Sequence, residues 1–366
     1  MPDLGIIGFE RSGKTSLFNA VTGGQHPVGF QTHQDPHLGV VKVPDDRLDR
    51  LAALFQPKTT TPADLRYVDF PGVGFGGGEE ASGPQTRFLD ELSQQDALIH
   101  VVRAFQNDSV PHPFETVDPA RDIEQMTLEL VFADMALIEK RLDRIAHETK
   151  AMKAAERELA ERDAQLLRRL NDQLADGSPV RAIALSEDER KSLRHYRFLT
   201  DRPLLTILNI DESDAGRAEE IAAQFRPADE PTATATAAAC AALEMELGGL
   251  SPEEADEYRR EVGAAEGALA TGLRLSYQIL GLRSFFTVGE DECRAWTIRT
   301  GQNAQQAAGA IHSDLERGFI RAEVVSWDDL LEAGSEAEAK KRALQHTEGK
   351  EYVVQDGDIL HVLFNL

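Results

Sequence analysis

The chain has 366 residues, 41% of them hydrophobic and 28% charged, and a formal net charge of −24. That length exceeds what one hydrophobic core organises, so two or three domains are expected, and the acidic balance excludes a surface coated with Lys and Arg for nonspecific nucleic-acid binding. No stretch approaches the roughly 20 apolar residues of a membrane span, the start Met1-Pro2-Asp3-Leu4 lacks the basic and apolar run of an export signal, and Cys240 and Cys293 have no metal-ligand spacing around them, so a cytoplasmic protein with reduced thiols is the expectation.

Along the chain, short apolar runs read as strands at Leu4–Ile7, Leu38–Val43, Leu65–Asp69 and Ala97–Val102, resumed by Leu204–Leu208 and Thr232–Ala239. Runs of this kind alternating with helical patterns indicate a largely parallel sheet covered on both faces, an α/β fold. Between them Leu128, Val131, Met135, Ile138, Leu142 and Ile145 recur at steps of three and four, one seam of a long helix. A second helix follows through Leu159, Leu166, Leu170 and Leu174 until Gly177-Ser178-Pro179 breaks it, predicting an antiparallel helical arm. Only 121–202 is near neutral, with 16 basic and 17 acidic residues, so an RNA-facing surface would most economically lie there, although a solvated mixed-charge helix gives the same count. From Arg283 the pattern becomes β-rich: Phe285–Val288, Ala295–Arg299, a helix near Ala304–Glu316, Arg321–Val325, and Tyr352–Phe364 broken by Asp356-Gly357-Asp358. The expected domains are 1–120 with 203–282 for nucleotide, 121–202 for the arm and 283–366 as a small mixed sheet gripping a helix.

The chemistry concentrates at Gly8-Phe9-Glu10-Arg11-Ser12-Gly13-Lys14-Thr15, a complete G-x-x-x-x-G-K-[ST] pattern between an apolar strand and the helix-like Ser16-Leu17-Phe18-Asn19-Ala20. Glycines let the backbone curl so that its N–H groups face phosphates, and the positive end of the following helix adds to their field. Lys14 is expected to reach the β- and γ-phosphates of a nucleoside triphosphate, and the Thr15 hydroxyl to ligate Mg²⁺. Asp69, ending its strand before Pro71-Gly72, has the position of the acid that holds this Mg²⁺ through water; a turn-forming Asp is the alternative. A guanine-reading Asn-Lys-x-Asp is missing after Leu204–Leu208, where Asn209-Ile210-Asp211-Glu212 stands instead. Asn209 can donate to and accept from adenine, or cap a loop.

With these pieces the chain resembles the YchF-type, or Obg-like, ATPases over almost its whole length. The matching segments include Gly39-Val40-Val41-Lys42-Val43-Pro44-Asp45-Asp46-Arg47-Leu48, Ile99-His100-Val101-Val102-Arg103, Val117-Asp118-Pro119-Ala120, Gly318-Phe319-Ile320-Arg321-Ala322-Glu323 and Val354-Gln355-Asp356-Gly357-Asp358, the last two within a stretch similar to the family's TGS, β-grasp domain. The resemblance implies a P-loop domain with an inserted helical arm, ATP preferred over GTP, slow hydrolysis and association with ribosomes. It implies a nucleotide site formed by Gly8, Arg11, Ser12, Gly13, Lys14, Thr15, Ser16, Asn209, Ile210 and Glu212, in which Asn209 and Glu212 read adenine and Ile210 lies against the base through its backbone. Family members have an apolar residue where a glutamine usually positions water, as Val73 does here, and a loop histidine thought to substitute, which is His112; a surface histidine between two prolines is the competing reading.

The sequence departs from the family at three places. Glu10-Arg11-Ser12 replaces Pro-Asn-Val, His33 occupies the alignment of the switch threonine with Thr32 one residue off, and Gln31 or Thr32 replaces a redox-sensitive cysteine. The expectation is an ATP-binding, Mg²⁺-dependent hydrolase whose nucleotide state controls contact with the ribosome or another large partner. A switch module that binds nucleotide with negligible hydrolysis, and a true GTPase, are the rival readings.

Overall fold

The computed structural model describes residues 1–24, 26–28, 35–71, 83–149, 152–227, 233–264 and 267–365. The chain divides into two compact units, one holding Pro2–Gly39 with Tyr67–Leu269, the other Met1, Val40–Arg66 and Ala270–Leu366. Its strands are β1 (Asp3–Ile7), β2 (His37–Lys42), β3 (Thr59–Thr61), β4 (Asp64–Asp69), β5 (Ala97–Arg103), β6 (Leu204–Asn209), β7 (Thr234–Ala239), β8 (Leu282–Thr287), β9 (Glu292–Arg299), β10 (Phe319–Ser326), β11 (His346–Glu348) and β12 (Asp358–Phe364). The first five helices are α1 (Lys14–Thr22), α2 (Asp46–Phe55), α3 (Gly83–Ser93), α4 (Pro119–Glu148) and α5 (Ala154–Ala175). Among the described residues no helix is long and apolar enough to cross a membrane.

The first sheet has the order β2-β4-β1-β5-β6-β7, and β1, β5, β6 and β7 pair parallel. Every residue of β5 is buried, which is why a strand covered on both faces reads as one continuous apolar run. Ile7, Leu98, Phe88, Met126 and Leu130 form one core against α3 and α4, while Val102, Leu208, Ala222 and Leu243 form another. Parallel strands bring their C-terminal ends to one edge, so β1, β5 and β6 deliver the phosphate loop, Arg103 and Asn209 to the same place, with Arg103 opposite Asn209 in register.

The arm is the antiparallel pair α4 and α5, started by Asp118, whose side chain accepts from Arg121 N with Pro119 at the first helical position. Val131, Met135, Ile138, Leu142 and Ile145 line the seam as expected, but Leu128 stands outside this cluster. On α5 the buried residues are Ala164, Leu167, Leu170 and Leu174, and Leu159 is 67% exposed. The true seam passes through Ala160 and Ala164, whose small side chains gave no apolar signal, and this leaves Leu159 one helical step off it. A third layer closes the cluster with Val180, Ile183, Leu193, Tyr196 and Phe198. Asp134 fastens that layer to α4: its carboxylate accepts from Leu199 N, Thr200 N and Thr200 Oγ1 at 2.7–2.8 Å.

The second unit is a mixed sheet of order β11-β10-β12-β8-β9-β3, with β8 and β12 parallel and β8–β9 and β10–β12 antiparallel. Ala304 and Ala307 pack a helix against Phe285, Val324 and Leu360, the β-grasp arrangement. The expected single helix is two, Ala304–Ile311 and Ser313–Arg317, because extended His312 interrupts it and caps the second with Nδ1. The third strand, β3, pairs parallel with β9, a contribution from a distant stretch of Thr residues that no local pattern announced. In the same unit Arg47 donates to Asp45 and Asp356 and lies over the Phe286 ring. Two segments that carried the family resemblance therefore meet in one ion-paired contact.

Candidate nucleotide-binding site

The phosphate loop joins β1 to α1 with three residues at positive φ, Gly8 (152°), Arg11 (63°) and Gly13 (97°). A Cβ at Gly8 would lie 2.4 Å from the Val101 carbonyl oxygen, and one at Gly13 would lie 2.1 Å from Asn209 Nδ2. Close backbone approach therefore requires both glycines. Helix α1 starts with no side-chain cap and no acid in its first turn, so its N–H groups and positive end are left for an anion. Ser12 Oγ is buried without a partner among the described residues, another donor available inside the loop. Ser16 stands half-buried on the first turn of α1.

Lys14 is buried, and its Nζ donates to the carbonyls of Gly8 and Phe9, both at 2.9 Å. Burial lowers its pKa to about 8, against the opposing pull of Asp69 and Glu10. Thr15 Oγ1 donates to Asp69 Oδ2 at 2.8 Å, and His37 Nδ1 lies 3.7 Å from the same oxygen. A hydroxyl and a buried carboxylate side by side are hard oxygen donors of the kind that suit Mg²⁺, so the residues present fit such an ion. Behind the loop, His100 is buried on β5, where desolvation and the Lys14 charge hold it neutral with a pKa of about 3.

Asn209 has both ends of its amide engaged: Nδ2 donates to Ser12 O at 3.0 Å and Oδ1 accepts from Ala241 N at 3.0 Å. It is a tie between the loop and the sheet edge as well as a candidate for the base, and one N–H remains for a ligand. Ile210 is buried and its N–H is donated to Ala239 O, which leaves its carbonyl as the backbone group that could lie against a base. Asp211 caps the following turn through Ser213 N, so the acid that stands one place early has a structural job. Glu212 is exposed and accepts from Tyr258 OH at 2.8 Å, a partner 46 residues away that sequence spacing did not reveal.

His112 is brought close to the loop, and it is not a surface residue. Its ring is buried, with Nε2 2.9 Å from Asp122 Oδ2 and Nδ1 accepting from Phe114 N at 3.1 Å. Arg11 donates to Pro111 O at 2.9 Å, and Phe9 meets Phe114 edge-on at 5.1 Å, so two phosphate-loop residues hold the histidine loop. Arg103, fully buried, donates to the carbonyls of Phe105 and Asn107. Sequence reading missed Asp122, Arg103 and Phe114; the Asp118-Pro119 helix start was the one signal that placed Asp122 in a first turn. Thr32, His33, Gln31, Gly72 and Val73 lie outside the described residues.

The chain also matches known proteins along its length. Residues 3–132 match the family described as 50S ribosome-binding GTPase, and residues 282–365 match the YchF GTPase C-terminal family, described as a protein of unknown function. The chain is 38% identical to a ribosome-binding ATPase YchF of Bacillus subtilis and 37% identical to one of Escherichia coli O157:H7, each over 99% of both chains. The chain belongs to the YchF family. The solved YchF GTPase of Schizosaccharomyces pombe superposes with a TM-score of 0.83 at 29% identity, covering 99% of this chain and 97% of that one. This likeness extends to the P-loop unit, the helical arm and the C-terminal β-grasp sheet of the YchF fold.

Proposed function

We propose that this YchF-family chain is a Mg²⁺-dependent ATPase whose nucleotide state controls its association with the ribosome, and that it works in the cytoplasm. The observation that carries the reading is Thr15 beside Asp69 under an uncapped helix start, with Lys14 in the same loop. A triphosphate entering the loop would draw Lys14 Nζ from the Gly8 and Phe9 carbonyls to its β- and γ-oxygens, since a charged acceptor outcompetes neutral ones. Thr15 would hold Mg²⁺ directly and Asp69 through water, and the bound ion neutralises charge on the reacting phosphates. The backbone N–H groups of 8–16 would bind the phosphates, with Ser12 Oγ as an added donor. The remaining Asn209 N–H, the Ile210 carbonyl and the Glu212 carboxylate are the candidates for adenine, whose N6 amino group donates where guanine accepts. His112 is the candidate to orient water. The domain limits proposed are 1–120 with 203–282, 121–202 and 283–366.

Titration calorimetry with ATP and Mg²⁺ tests the site. ATP is expected to bind Lys14→Ala far more weakly than wild type; equal affinity for a folded Lys14→Ala would remove the assignment. A second reading, nucleotide binding with negligible hydrolysis, is favoured by the engagement of both His112 ring nitrogens. A single-turnover assay separates the two.

A further inference from the structure

Rings that orient water need a free nitrogen at a solvent-accessible edge, and His112 has neither. Its side chain and that of Asp122 are each 3% exposed. Because Nδ1 accepts from Phe114 N–H, the ring proton is on Nε2, where it is donated to Asp122 Oδ2. The other carboxylate oxygen is held by Arg121 through Nε at 3.0 Å and Nη2 at 2.8 Å, and the same guanidinium binds the Thr116 carbonyl and lies over the Phe114 ring. The pair is thus buried, with Arg121 beside the carboxylate and a partner on each ring nitrogen.

We propose that Asp122 is a positioning residue that latches His112 in an idle, inward setting, and that the latch must open before the ring can serve hydrolysis. This rests on the reading of His112 as the water-orienting group. The surrounding loop supports it: Arg103 and Arg11 fix the backbone at Phe105, Asn107 and Pro111, so the loop is already anchored against the phosphate loop. The segment from His112 to Thr116 is what Asp122 and Arg121 hold, with Phe9 against the Phe114 ring, so release is a local swing of that segment and not an unfolding of the loop. The latch is carried by the first turn of α4, a single 30-residue helix that continues into the arm. A force on the arm acts on the carboxylate through a stiff rod, which gives a partner bound there a direct route to the ring.

The test compares full-length wild type, Asp122→Asn, Asp122→Ala, His112→Ala and the double variant His112→Ala/Asp122→Ala. Single-turnover ATP hydrolysis without any partner is measured beside carbethoxylation of His112 by diethylpyrocarbonate, followed by mass spectrometry. The latch predicts at least about fivefold faster hydrolysis and at least about fivefold faster carbethoxylation in either Asp122 variant, with the hydrolytic gain lost in the double variant. Slower or unchanged hydrolysis in both Asp122 variants, with His112→Ala itself slow, would overturn the latch and leave the reading of His112 standing. A His112→Ala rate equal to wild type would instead overturn that reading, and the latch with it. Because carbethoxylation reports ring exposure without turnover, unchanged protection of His112 in a folded Asp122→Ala, which has no acceptor for Nε2–H, also sinks the latch.

Discussion

Lys14, Gly13 and Asn209 show how one backbone shape makes the site depend on single side chains. Lys14→Ala removes a charge-assisted bond of roughly 1.5–3 kcal/mol, so ATP affinity should fall about 10- to 100-fold with little change in the unfolding midpoint. Calorimetry and thermal melts read the two effects separately, and a variant that loses both would mark Lys14 as structural. Gly13→Ala should weaken ATP binding further, since φ is 97° and the new Cβ would meet Asn209 Nδ2 at 2.1 Å, breaking the tie to Ser12 O. ATP should also outcompete GTP for a labelled ATP analogue, because Asp211 is committed to a cap and no Lys flanks Asn209; equal competition would contradict the base assignment. Gly13 and Lys14 were legible in the sequence because the loop pattern encodes a backbone path, and Asn209 because it ends the strand after Leu204–Leu208. Asp122 and Tyr258 were not: each meets its partner through tertiary packing, His112 at ten residues and Glu212 at 46, and no local rule spans those distances.

At the scale of elements, apolar periodicity found the sheet strands and both arm helices but misplaced details wherever alanine or a polar residue does the packing. Leu159 looked like a seam residue and is exposed, while Ala160 and Ala164 line the seam. Asp134 is the sharper case, a buried acid on an apolar helix face whose carboxylate binds three donors at the turn Leu199–Thr200. Its replacement by Ala orphans those donors at about 1–3 kcal/mol each, so Asp134→Ala should lower the urea midpoint by the equivalent of about 3 kcal/mol or more. Leu159→Ala should stay within about 0.5 kcal/mol of wild type. Equal destabilisation by the two would show that the arm core has been misassigned. The strand Thr59–Thr61 escaped the sequence for a related reason, since its identity as a strand comes entirely from pairing with β9.

For the whole molecule, the arm and the nucleotide site share α4, because one end of that helix carries Asp122 beside His112 and the other packs the arm. Deleting the arm, roughly Ile123 to Phe198, would therefore remove more than a passive appendage. Partner association should fall more than ATP affinity, while hydrolysis changes because α4 is cut just beyond Asp122. Control of ribosome association by nucleotide state is read by co-sedimentation. Ribosomes are pelleted with the full chain in the presence of a non-hydrolysable ATP analogue with Mg²⁺, of ADP, or of neither, beside Lys14→Ala under the same conditions. The expected result is a pelleted fraction that differs at least about threefold between the ATP analogue and ADP for wild type and that ignores nucleotide for Lys14→Ala. Equal pelleting of wild type under all three conditions, or no pelleting under any, would contradict the account.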